Sequence, residues 1–319
     1  MTRLSIAIPV FNEEAVVPEL LQRVRAVLST IPGGPHELLF VDDGSSDRTV
    51  ELLGAAAQED ARIRIVVLSR NFGHQAAFSA ALAHVRGDAV VLMDGDLQDA
   101  PEAIPEFIER YRQGYEVVYA RRVRRKEGLL LRTAYALSYR LIAWSSNVTL
   151  PLDAGDFALL SRRVVDTVNS LPERQRYLRG LRTWVGFRQI GVDVERHERW
   201  AGRPKYTISR LAQLAFDGLL AFSVAPLRAA AVLGIVGVGL STLFALYAIY
   251  MRVVVGRSPE GFTALLVAFT FLSGIQLFFM GVIGEYVGRI YEETKGRPTF
   301  IVARVIEGRS GPVVRPAVP

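Results

Sequence analysis

Five short apolar runs, "LSIAIPV", "ELLFV", "RIVVL", "AVVLM" and "EVVYA", punctuate residues 4 to 120, with helical patterns between them over 14–29, 47–59, 75–85 and 101–113. Near-continuous apolar strands that alternate with helices predict a parallel sheet covered on both faces, a Rossmann-like α/β domain. Such sheets bind ligands beyond the carboxyl ends of their strands. The segments "PVFNEE", "VDDGSSD" and "MDGDLQD" all fall at those ends.

The rest of the chain has a different character. Residues 229–251 carry no charge over more than the roughly 20 residues that a bilayer requires. Residues 262–284 form a second such run, and the short turn "RVVVGRSPEG" separates the two, so a transmembrane hairpin is predicted. Arg228 precedes the pair and Arg289, Lys295, Arg297 and Arg304 follow it, against Arg252 and Arg257 in the loop. The positive-inside rule then puts both ends of the hairpin, and the α/β domain with them, in the cytoplasm. The apolar run at the N-terminus is too short for a signal peptide, which agrees with that placement. Residues 128–150 and 206–225 are also apolar, but Arg132, Arg140, Arg210 and Asp217 interrupt them. They read as helices lying in the membrane interface or as ordinary amphipathic helices on the core. The last ten residues, "SGPVVRPAVP", read as a tail.

Composition narrows the partners. Half of the 319 residues are hydrophobic, 22% are charged and the net charge is +6, which suits an anionic partner such as a phosphorylated substrate, an acidic lipid surface or nucleic acid. The arginines gather around the hydrophobic helices, so membrane adjacency explains them more simply than nucleic acid does. The absence of cysteine excludes a disulfide framework and a thiolate metal site. His36, His74, His84 and His197 show no ligand spacing and read as structural.

Chemistry concentrates in the acidic strand ends. Asp94 and Asp96 flank Gly95, so their carboxylates can converge on one Mg²⁺ or Mn²⁺ whose remaining positions are filled by substrate phosphates. Asp99, just before "APEAIPEF", reads as a helix N-cap. Asp42 and Asp43 can accept hydrogen bonds from a base or ribose, Gly44 permits a tight turn, and Ser46 or Asp47 caps the next helix. Neither Gly-x-x-x-x-Gly-Lys nor Gly-x-Gly-x-x-Gly follows a strand, which argues against an NTPase and a dinucleotide oxidoreductase.

Taken in order, "IPVFNEE", "VDDGSSDRT", "RNFGHQAA", "MDGDLQD", "DAGDFALLSRR" and "RWAGRPKYT", followed by two spans, resemble the family 2 glycosyltransferases that make polyprenyl-phosphate sugars. These include dolichyl-phosphate mannose synthases and bacterial polyprenyl-phosphate glucosyltransferases of the GtrB type. The resemblance covers roughly residues 4 to 300. It implies a GT-A catalytic domain over 1–205, an interfacial helix over 206–225, the hairpin over 226–288 and a cytosolic strand and tail over 289–319. It further implies that Pro9, Phe11, Glu13, Asp42 and Asp43 line the nucleotide pocket, Phe11 standing where the family often has Tyr. Asp94, Gly95 and Asp96 would hold the donor diphosphate, with Asp94, Asp96 and Gln98 on the metal, and Arg203 and Lys205 would close over the phosphates. Arg121 and Arg132 would grip the lipid phosphate. Asp156, preferred to Asp153, would stand at the acceptor side as base or orienter.

The activity implied is inverting transfer of a sugar, with UDP-glucose as best guess, from a nucleotide-sugar donor to a polyprenyl phosphate. It would take place on the cytosolic face of the inner membrane and serve the cell envelope. A processive polysaccharide synthase is the nearest rival, but it would carry Gln-x-x-Arg-Trp and more spans. Here "QRYLRG" puts Arg179 one place late and Gly180 where Trp should stand. A noncatalytic transferase-like scaffold would have lost the acids that this chain keeps. Residues 298–306, "PTFIVARVI", read as a late strand free to pair with another subunit, and with "GEYVG" at 284–288 they lead to the expectation of a homo-oligomer.

Overall fold

The computed structural model describes residues 3–123, 154–174, 176–195, 225–256 and 261–308. It divides into two units, one built on a sheet and one on two long helices.

In the first unit the five expected strands and four helices all form: β1 (Leu4–Val10), α1 (Val17–Thr30), β2 (Glu37–Asp42), α2 (Thr49–Glu59), β3 (Ile63–Leu68), α3 (His74–His84), β4 (Ala89–Leu92), α4 (Ile104–Arg112) and β5 (Val117–Val123). A short 3₁₀ turn, Pro101–Ala103, leads into α4. Then come β6 (Ala154–Ser161), α5 (Arg162–Ser170), α6 (Leu178–Trp184), β7 (Gln189–Glu195) and, at the C-terminal end, β8 (Val302–Glu307). The eight strands form one sheet in the order β7-β5-β6-β4-β1-β2-β3-β8. Strands β1 to β4 are parallel neighbours, as the uniform apolar runs require, and β6 enters antiparallel between β4 and β5.

Burial explains the choice of residues. Every residue of β1 and β2 is buried, because helices cover both faces. On one face Ile6, Ile8, Phe40 and Val91 pack under α1, α2 and α4. On the other, Ala7, Leu39, Leu92, Ala158 and Leu160 pack under α3, α5 and α6 through Phe78, Val164, Leu178 and Leu181. Helix α5 starts on a side-chain cap, with Ser161 Oγ accepting from the Val164 amide at 3.2 Å.

The late strand is where expectation and structure part. Residues 302–307 do form a strand, but it pairs antiparallel with β3 of its own chain, Ile65 opposite Ile306 and Val66 opposite Val305. The strand thus has a partner in its own chain and stands at the edge of the sheet. Its sequence distance from the sheet concealed a partner that ion pairs make specific: Glu307 meets Arg64 and Arg86, each at 3.1 Å.

The second unit consists of α7 (Ala225–Val253) and α8 (Phe262–Thr294), which pack against each other. Within them Ala229–Val253 and Val267–Thr294 are long and apolar enough to cross a membrane. Their large side chains, Leu240, Phe244, Phe271 and Phe278 among them, lie exposed. Helix α8 runs to Thr294, past the expected end of the hairpin at 288.

Candidate active site

The site grows from the carboxyl ends of β1 to β4. The loops after β1 and β2 are laced together. The Asn12 amide donates to Ser45 Oγ, the Ser46 amide to Asn12 Oδ1, the Glu13 amide to Thr49 Oγ1 and the Glu14 amide to Asp47 Oδ2. Asn12 adopts φ +53°, which its short polar side chain tolerates. Residue Arg48 occupies the N-cap of α2, and Asp47 beside it accepts the Thr49 amide at 3.0 Å.

The loop after β3 is held by Asp43, whose two oxygens accept the Phe72 and Gly73 amides at 2.7 and 2.9 Å. Burial pushes the Asp43 carboxyl up against the opposite pull of those amides. Asp42 is fully buried and accepts the Ser45 amide. Gly44 is required twice over: it stands at φ +75°, and a Cβ there would lie 2.6 Å from the Arg70 carbonyl carbon.

The decisive geometry is made by β4 and β6. Their antiparallel register pairs Leu92 with Ala158, so Asp94, two residues after Leu92, and Asp156, two residues before Ala158, come to the same end of the two strands, with a carboxylate oxygen of each within 4.8 Å of the other. Because alternate residues share a face, both carboxylates emerge where Leu92 and Ala158 leave off, on the side that α3 covers. His74, first residue of α3, completes the group. Its Nε2 lies 3.2 Å from Asp94 Oδ1 and 3.8 Å from Asp156 Oδ2, and its ring stands edge-on to Phe78 below. Helix α6 adds Arg179, which donates from Nε and Nη2 to the two Asp156 oxygens at 2.7 and 2.6 Å. Behind it Arg182, 3% exposed, donates to the Gly155 carbonyl at 2.8 Å.

Residues 5–168 match the family described as glycosyl transferase family 2. The chain belongs to that family. It is 42% identical over 301 residues to the uncharacterized glycosyltransferase YkcC of Bacillus subtilis (strain 168), covering 94% of this chain and 93% of that protein. It is 37% identical over 304 residues to the prophage bactoprenol glucosyl transferase homolog of Escherichia coli (strain K12), covering 95% and 99%. Among solved structures it shares a TM-score of 0.48 and 18% identity with a mannosyltransferase, PcManGT, of Pyrobaculum calidifontis in complex with GDP-Man and Mn²⁺, over 69% of this chain and 62% of that one.

In this glycosyltransferase, a GT-A enzyme, the expected donor residues Pro9, Phe11, Glu13, Asp42, Asp43, Asp94, Gly95 and Asp96 all stand at the ends of β1, β2 and β4. Pro9 and Gly95 touch: a Cβ on Gly95 would come 3.1 Å from the Pro9 carbonyl oxygen, so the acidic turn lies flat on the end of β1. Leu97 holds φ +56° while 2% exposed, a left-handed turn fixed by burial beneath the acidic loop. Asp96 Oδ1 accepts the Gln98 amide at 3.1 Å. Asp99 is buried at 3% exposure, and the residue at the N-cap is Ala100, without a side-chain cap bond, so the capping role expected for Asp99 is corrected. Arg121, on β5, pairs with Asp193 of β7. Arg132, Asp153, Arg203 and Lys205 lie outside the described residues.

His74 and Arg179 are members of the candidate site that sequence reasoning missed. His74 read as structural because its partners lie 20 and 82 positions away; its place in the first turn after β3 was the available signal. Arg179 was judged only against a motif that it fails, although Leu178 and Leu181 set α6 on the sheet and turn Arg179 toward Asp156.

The electrostatics follow from burial. Burial opposes charge on His74, but the Asp156 and Asp94 carboxylates outweigh it and lift the imidazole to about 10. Burial likewise opposes ionised Asp156, yet the Arg179 hydrogen bonds and His74 hold it well below the usual carboxylate range. Arg182 is pulled down to about 10 by burial and remains a cation at neutral pH. His74, Asp94 and Asp156 each present a ligand atom within 4.8 Å of the others; with His74 protonated at neutral pH, the two carboxylates are the members of the group open to a metal ion. Asp94 Oδ1 is buried and faces His74 Nε2 at 3.2 Å.

Proposed function

We propose that this enzyme transfers glucose from UDP-glucose, with inversion, to a polyprenyl phosphate at the cytosolic face of the inner membrane, yielding a polyprenyl-phosphate sugar. The observation that carries the reading is the facing pair Asp94 and Asp156, bracketed by His74 and Arg179, on a chain that also has two membrane-capable helices. Relatives named bactoprenol glucosyl transferase match at 37–38% over nearly their whole length, which supports the lipid acceptor and the glucosyl group.

The site suits an acceptor that needs no strong base. A phosphate monoester has its second ionisation at about pH 6, so it is largely a nucleophile at neutral pH. Asp156, held ionised by Arg179 and His74, is too weak a base to add much. Its role in this reading is to orient: it fixes two cations near the anomeric carbon, which the acceptor phosphate attacks from the face opposite the departing diphosphate. Arg121, and Arg132 with it, would bind the acceptor phosphate, Arg121 exchanging its exposed pairing with Asp193 for the lipid anion.

Asp94, Asp96 and Gln98 would hold the divalent cation, an all-oxygen donor set of the kind that Mg²⁺ and Mn²⁺ prefer. Bound there, the cation neutralises charge on the departing diphosphate. Pro9, Phe11, Glu13 and Asp42 would shape the nucleoside pocket, with Asp43 bracing its wall through the Phe72 and Gly73 amides. Arg203 and Lys205 would cover the phosphates. The hairpin tethers the domain where a long-chain lipid can reach it.

The test is transfer by the full-length protein in lipid vesicles, offered radiolabelled UDP- and GDP-sugars with undecaprenyl phosphate and Mn²⁺ or Mg²⁺. Label from UDP-glucose is expected in a lipid extractable by organic solvent. Label in a polymer, or none outside nucleotide, overturns the reading.

A further inference from the structure

Arg182 is a buried cation whose local duties do not explain its charge. It is 3% exposed, and its Nε makes no hydrogen bond. Burying an arginine is costly unless it is fully paired, a cost that a hydrophobic side chain of similar volume does not carry. The residue is nevertheless carefully seated by three elements. From α6 it donates Nη2 to the Gly155 carbonyl of β6 and lies over the Tyr119 ring of β5, 5.4 Å from its centroid. That ring in turn rests on Gly191 of β7, where a Cβ would come 2.9 Å from it, so the glycine makes room for the tyrosine. A small cavity of about 10 Å³ has Asp156, Arg179 and Arg182 among the residues of its wall.

We propose that Arg182 is a positioning residue of the transfer reaction: anchored on Tyr119, it fixes the Gly155–Asp156 backbone so that the Asp156 carboxylate stays aimed at His74 and Arg179. The inference rests on the role given to Asp156 above. It acts through geometry, because Gly155 is the residue that leads into Asp156, and a carbonyl held from behind prevents the start of β6 from rotating. It acts also through charge: Arg182 keeps a cation behind Asp156 whenever Arg179, on the more open side, shifts toward a substrate anion.

The experiment compares Arg182→Met, Arg182→Lys and Tyr119→Leu with the unaltered enzyme in vesicles, normalising kcat to the UDP-glucose sites titrated in the presence of Mn²⁺. Arg182→Met should lower kcat per site by about 10²-fold, the scale of a misplacement near 1 Å, with KM for UDP-glucose unchanged. Arg182→Lys, which can still reach the carbonyl with a charge, should recover part of the loss, and Tyr119→Leu should lower kcat in the same direction. A purely structural residue would reduce the number of sites and leave kcat per site unmoved, and that result overturns the proposal. If Arg182→Met does not fold, unchanged kcat per site in both other variants overturns it equally. Asp156→Asn separates the two claims: retained turnover there removes the reading of the site, whereas an inactive Asp156→Asn beside a fully active Arg182→Met removes only the role of Arg182.

Discussion

Arg179 holds Asp156 by two parallel hydrogen bonds of 2.7 and 2.6 Å, so that one carboxylate in the centre of the site has both oxygens committed to one guanidinium. A planar fork can do this and an ammonium cannot. Arg179→Lys should therefore keep the charge yet lower kcat by about 10- to 100-fold, one to three kcal/mol of lost alignment. Steady-state kinetics in vesicles check it, and a full-rate Arg179→Lys enzyme would show that the fork is dispensable.

Asp96→Ala should abolish transfer and leave the fold intact, because the side chain is only partly buried on a loop. Titration with UDP and Mn²⁺ should show donor binding weakened by about 10-fold or more, a loss of at least 1.4 kcal/mol. Chelation of divalent ions from the unaltered protein should have the same effect, reversed by adding the ion back. Undiminished metal-dependent binding in Asp96→Ala would remove the metal assignment.

Gly44→Ala tests the laced loops. The substitution puts a Cβ at a left-handed position and against the backbone of Arg70, and strain of that kind costs about 1–3 kcal/mol. Displacing residues 70 and 71 also pulls on the Phe72 and Gly73 amides that Asp43 holds. A lower denaturation midpoint and weaker UDP binding are expected together. Loss of stability without loss of binding would separate the loop from the donor pocket.

Glu37 supplies a pH dependence away from the site. Burial opposes its charge, but hydrogen bonds from Ser5, the Arg86 amide and Arg64 outweigh it and hold its pKa below the ordinary carboxylate value. A depressed folded-state pKa contributes stability above the unfolded pKa of about 4.3, and that contribution is lost as pH falls through the folded value. The unaltered protein should thus lose stability on acidification below about pH 4.3. Glu37→Gln should be less stable at neutral pH, by up to about 3–5 kcal/mol for a broken buried pair, with a flatter acid limb. Arg64 keeps Glu307, so the lower part of that range is expected. Denaturant unfolding across the pH range measures both effects, and parallel curves for the two proteins would refute the linkage.

How far the chain could be read in advance depended on whether the information was local. Strands β1 to β5 and helices α1 to α4 were legible because burial on both faces forces unbroken apolar runs, and four connecting helices follow in strict alternation. The acidic turn at 94–99 was legible as a site because charge at the end of a buried strand needs a reason. Asp99 was misread as a cap because residue type and a following proline give the same signal whether the side chain faces the helix or is buried.

The sequence by itself determined the βα alternation, the two membrane-capable helices and the position of the carboxylates at strand ends, since each follows from the period and length of an apolar pattern. Only the tertiary structure decided that β8 closes the edge at β3, that β6 runs antiparallel so that Asp156 meets Asp94, and that His74, Arg179 and Arg182 gather around that pair. The physical reason is that strand order and register are set by packing and pairing between residues far apart in the chain. A pattern confined to neighbours carries no record of which distant strand lies beside it.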